Sequence, residues 1–149
     1  MSSTLTPSAS SSGNASAALA LAGRLLMAYL FLPAGISKVL GFAGTVGYIA
    51  SAGLPVPQLA ALVALVVEIG GGLALILGYR VRIAAIVLAF FTLVASYFFH
   101  AYWAAPEAAK MVITLLFNKN IAVAGGLLIL AGMGAGAWSL DARRSTTTR

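Results

Sequence analysis

Cysteine is missing from the sequence and histidine occurs once, at position 100. The chain therefore forms no disulfide, carries no thiol redox centre and offers no thiolate to a metal. A single imidazole also argues against a multi-histidine metal or haem site within one chain, and no metal ligand is assigned. Charge is scarce as well: 8% of the residues are Asp, Glu, Lys or Arg, and only three are acidic. A soluble domain carries roughly threefold more charge than this. Nor is there a phosphate-binding loop or a nucleophilic triad. The glycine runs "EIGGG" and "AGGLL" sit inside apolar segments, where small residues serve helix packing.

What the chain does have is apolar residues, 61% of the total, at a mean hydropathy of +1.01. They come in blocks of about twenty, the length of a membrane-crossing helix. The expectation is an all-α, multi-pass integral membrane protein. The net charge of +6 does not indicate a nucleic-acid partner, because the nine Lys and Arg are scattered at segment ends and not gathered on one face. In a membrane protein such an excess reflects topology and contact with anionic lipid.

Residues 1–17 are rich in Ser, Thr and Ala without a charged side chain, and read as a disordered tail. It lacks the basic start of a signal peptide and is expected to stay attached. Four spans follow within 18–138: Ala18 to Leu40, Gln58 to Leu77, Val81 to Trp103, and Met111 to Trp138. Between the first two, "GFAGTVGYIASAGLPVP" is uncharged and too short to cross. It reads as a short re-entrant or interfacial helix ending in a Pro-rich turn. Residues 139–149 form a polar tail. Arg24, Arg80, Arg82, Arg143, Arg144 and Arg149 fall on the side of the termini, and Lys38, Lys110 and Lys119 on the other. The positive-inside rule then puts both termini in the cytoplasm.

Polar groups inside the spans are the candidate site. Glu68 lies near the middle of the second span, where a lone charge costs roughly 2.5–3.5 kcal/mol on insertion scales. Ala61, Ala64, Gly71 and Gly72 share its helical face, so that face is expected to meet another helix. At ~1.5 Å per residue, Lys38, His100 and Lys119 fall on the order of 10 Å outward of the midplane, close enough to join Glu68 in one polar cluster. The competing role for Lys38 and Lys119 is snorkelling to the surface, and for His100 a place in the aromatic belt "SYFFHAYW". Arg24, Arg80 and Arg82 are expected to be lipid anchors. Glu68 has a plainer alternative too, locking two helices together.

The segments "GRLLMAYLFLPAGISKVLGF", "SAGLP", "VEIGGGLALILGYRVRIAA", "FFH" and "KNIAVAGGLLIL", in this order and spacing, resemble the DoxX family of small four-helix membrane proteins. The resemblance spans all but the two tails. It implies a compact four-helix bundle in the bacterial cytoplasmic (inner) membrane. It also implies a link to quinone-coupled oxidation, quinone resistance or oxidative-stress defence.

The function expected is a quinone-interacting subunit of a membrane oxidoreductase, with a redox partner or bound cofactor supplying electrons. Glu68 and His100 are the candidate proton-moving groups. Lys38, Lys119 and Asn120 would bind the quinone head, with Phe31, Tyr97 and Phe117 against its ring. The alternatives are a non-catalytic scaffold or chaperone for a partner complex, and a small transporter acting as a homo-oligomer. The transporter reading draws on a weak echo between "GGLALILG" and "GGLLILAG" in the second and fourth spans.

Overall fold

The computed structural model describes residues 9–147, and these are mainly helical with no strand among them. The elements are α1 (Ala9–Leu40), α2 (Phe42–Ser51), α3 (Pro57–Leu77), α4 (Val81–Phe99), a 3₁₀ turn (Tyr102–Ala104), α5 (Glu107–Met133) and α6 (Leu140–Thr147). Helices α1, α3, α4 and α5 are long and apolar enough to cross a membrane. The protein is thus an all-α membrane bundle.

Helix α1 begins nine residues before the Ala18 start read from sequence, since Ser, Gly and Asn there do not interrupt it. Residues 1–8 of the expected disordered tail lie outside the described residues, as do the last two of the C-terminal tail. The fourth span also ends early, at Met133 and not Trp138. Gly134 and Gly136 take φ of +89° and +76°, a region closed to most side chains, and turn the chain there. Hydropathy cannot see this break, because "MGAGAW" stays apolar.

Helix α1 packs along α3 and α4 along α5, α3 meets α4, and α2 rests on α3. The core where they meet is built largely of small side chains, including Ala28, Ala61, Ala85, Ala89, Ala124 and Ala131, with Leu75, Leu88 and Leu127 between them. Large apolar groups such as Leu26, Tyr29, Phe90 and Met111 point outward. Lipid is as apolar as leucine, so burying leucine gains nothing there. Close backbone approach supplies the attraction instead. Glycines mark the tightest contacts. A Cβ on Gly35 would stand 2.6 Å from Ile69 and 3.2 Å from the Glu68 Cβ, and one on Gly71 would meet Leu88 at 2.8 Å.

The two ends of the bundle differ. At one end, residues 134–139 fold back over the bundle and lead into α6, and Arg24 joins them to α3. Its guanidinium donates to the carbonyls of Leu75 (3.0 Å) and Trp138 (2.5 Å). The Asp141 carboxylate accepts from the N–H groups of Arg80 (2.8 Å) and Val81 (3.0 Å), capping α4. At the other end, α2 and the ends of α1 and α4 border a cavity.

Candidate functional site

One stripe of α3 is buried: Ala61, Ala64, Glu68, Gly72 and Leu75, spaced by three and four as a helical face requires. Glu68 is therefore carried inward and is only 6% exposed. Its partner comes from the last turn of α1. Lys38 Nζ donates to both carboxylate oxygens, at 2.9 and 2.8 Å, and lies 3.5 Å from the Ala34 carbonyl. Gly35 makes this possible, because any side chain there would hold α1 away from α3 at the level of Glu68. Lys38 thus turns into the bundle and does not snorkel. A forked charge pair in low dielectric is far stronger than its exposed counterpart, and it offsets the cost of placing Glu68 in the membrane.

This pair forms part of the wall of a cavity of about 440 Å³. Phe31, Ala64, Phe91, Phe98 and Phe99 give it an apolar lining, while His100 brings polar atoms from the end of α4, and Lys119 and Asn120 from the middle of α5. His100 is half-buried beyond the last turn of α4, where its backbone N–H donates to the Ser96 carbonyl at 3.0 Å. Asn120 is buried and Lys119 exposed, so the lysine sits at the rim. Of the residues expected to form the site, Glu68, Lys38, His100, Lys119, Asn120 and Phe31 share this one cavity.

Tyr97 does not join them. It is 60% exposed and packs edge-on against Phe98 and near Trp103, in an outer aromatic cluster that also holds Tyr102 and Phe117. The inward residues of α4 are Thr92 and Ser96, and one step past Ser96 turns about 100° around the helix, out of the cavity. Phe117 is likewise absent from the cavity lining. Arg24 is corrected as well. It is fully buried, so it is an internal staple and reaches no headgroup. Arg80 and Arg82 are exposed at the same end of the bundle.

Sequence reasoning missed several cavity residues. Thr92 lines the wall and bonds back to the Leu88 carbonyl (2.7 Å). Thr45, Tyr48 and Ile49 of α2 form the cover, with the Tyr48 ring stacked on Phe99 at 5.1 Å. Thr92 was legible in principle, four residues before Ser96 on one face. The α2 residues were not, because nothing local says which way a surface helix leans.

A membrane four-helix bundle with a buried Lys–Glu fork beside an aromatic-walled cavity is the class that fold and site define. The DoxX family profile matches residues 19–101, and the chain belongs to the DoxX family. It is 39% identical over 131 residues to inner membrane protein YphA of Escherichia coli (strain K12), covering 88% of this chain and 94% of that protein. It is 40% identical over 121 residues to inner membrane protein YqjF of the same organism, covering 81% and 88%. No solved structure matches it significantly. The family match includes Lys38, Glu68 and His100, and stops before Lys119 and Asn120.

Proposed function

We propose that the cavity binds a quinone head and that the protein is the quinone-interacting subunit of an oxidoreductase in the bacterial inner membrane. The observation that carries this is the Lys38–Glu68 fork set in the wall of an otherwise apolar, phenylalanine-rich space. A quinone asks for that combination: a flat ring for the aromatic wall, and hydrogen-bond partners for two carbonyls. Reduction of the ring places negative charge on its oxygens, which Lys38 and Lys119 stabilise. Protons reach those oxygens through His100 and Glu68. The chain lacks the thiols and multiple histidines of a built-in electron carrier, so electrons come from a partner protein or a bound cofactor. With the arginine-rich end in the cytoplasm, both termini are cytoplasmic and the cavity opens on the far side of the membrane.

Titration of purified protein with short-chain ubiquinone and menaquinone analogues tests the reading. Saturable binding is expected, weakened about tenfold or more in His100→Phe and in the Lys38→Met/Glu68→Met pair, the loss of one or two hydrogen bonds to charged or polar groups. Absence of saturable binding, or binding indifferent to both variants, rejects it. The scaffold reading has one observation of its own: the fork sits beside Gly35, a position where α1 packs tightly against α3. If quinones do not bind while the fork variants still lose a co-purifying membrane partner, scaffolding takes its place.

A further inference from the structure

The opposite end of the bundle holds a second cavity, of about 450 Å³, and its chemistry is different. Arg80 and Arg82 line it from the start of α4, Gly134 from the break after α5, and Asp141 from α6. The Asp141 carboxylate is taken up by the two N–H groups that begin α4, so it caps a helix as well as bordering the space. The balance of the two guanidinium groups and one carboxylate is positive. The surroundings reinforce that sign. Arg144 and Arg80 lie over the Tyr79 ring at 5.4 and 5.9 Å, and their guanidinium groups, Arg144 first, hold its hydroxyl below the ordinary tyrosine range.

Arg82 is exposed yet held in place. Its Nη1 donates to the carbonyls of Ala131 (2.9 Å) and Gly132 (2.6 Å), and its Nη2 to that of Met133 (3.5 Å). These are terminal carbonyls of α5, which have no partner within the helix. The Nε–H receives no partner among the described residues. The Nε and Nη2 groups of an arginine form the parallel fork that matches two oxygens of one anion. Here the guanidinium lies beside Gly134. A Cβ at this position would stand 3.2 Å from Nη2 and 3.4 Å from Nε, and the φ of +89° disfavours a side chain there. Arg82 is thus fixed in place at the edge of a cavity, with its Nε–H unbonded among the described residues.

The cavity also continues into the lipid-facing surface. Ile83, next to Arg82, is 56% exposed, and Met133, next to Gly134, is 76% exposed. Both belong to spanning helices, so an anion reaching the fork does so at the level where acyl chains begin. We propose that this cavity holds the phosphate of an anionic phospholipid on the Arg82 fork and Arg80, with its acyl chains running over Ile83 and Met133. The site is independent of the quinone cavity, which lies at the other end of the molecule.

The test uses the full-length protein, delipidated in detergent and exchanged with defined lipids, read by native mass spectrometry and by thermal unfolding. Phosphatidylglycerol is expected to be retained about tenfold more than phosphatidylcholine, which has the same phosphate but also a choline cation that Arg80 and Arg82 repel. Retention should drop by a similar factor in Arg82→Lys, which keeps the charge and loses the fork. A several-fold drop is expected in Arg80→Gln, which leaves the α5 cap untouched and carries the test should Arg82→Lys not fold. Equal retention of the two lipids, or wild-type retention in the variants, overturns the proposal. Inorganic phosphate at millimolar concentration is expected to leave the unfolding temperature unchanged. A shift matching that of phosphatidylglycerol would assign the fork to a soluble anion and overturn the lipid assignment.

Discussion

A lysine and a glutamate carry the interior of this protein. Each alone would be an uncompensated charge facing other helices, and together they make a neutral, doubly bonded unit. Lys38→Met or Glu68→Met alone should therefore cost about 3 kcal/mol, whereas the double replacement should fall within about 1 kcal/mol of the parent. Unfolding in a denaturing detergent gradient, arranged as a double-mutant cycle, measures this. Strictly additive losses would mean that the two side chains do not feel each other. Glu68 was legible from sequence because a lone carboxylate in an apolar run has to face protein and find a partner. Its partner was not, since Lys38, His100 and Lys119 lay at similar depth and only the α1–α3 contact chooses among them. Arg24 was misread for a related reason. Depth along the helix axis placed it near a surface, but azimuth sends it inward, onto the carbonyls of Leu75 and Trp138.

Helices in this bundle are spaced by what they omit. Gly35, Gly71 and Gly72 stand where a neighbour's atoms already occupy the place of a side chain, whereas Gly23 and Gly70 face open space. Gly35→Val should separate α1 from α3 and cost about 1–3 kcal/mol, the usual penalty of overpacking. It should also lengthen the Lys38–Glu68 contact and weaken ligand binding. Gly23→Ala should change little. The same unfolding assay compares them, and equal effects at the two positions would contradict the packing described. The spans were readable because unbroken apolar runs of the right length leave few alternatives. The short α2 was readable as a helix from its lack of charge and the Pro-rich turn behind it. Its role as the cavity cover depends on Tyr48 meeting Phe99 across the fold, a contact without a local signature.

Across the whole molecule, charge and shape are segregated. Arg24, Arg80 and Arg82 lie at the pole where α6 folds back, and the cavity with Lys38, His100 and Lys119 lies at the other. The absence of cysteine makes the topology easy to test, since any introduced thiol is unique. Ser51→Cys, exposed at the end of α2, should react with a membrane-impermeant maleimide in intact spheroplasts. Ala137→Cys, exposed beside α6, should react only after lysis. The reverse pattern would invert the molecule and place the cavity on the cytoplasmic side. The Arg24 staple adds a final consequence. That guanidinium ties the backbone of α3 to the strap before α6, so the segment behind α5 is clasped to the bundle at that pole. The two cavities share no lining residue, and a molecule seated in one touches none of the walls of the other.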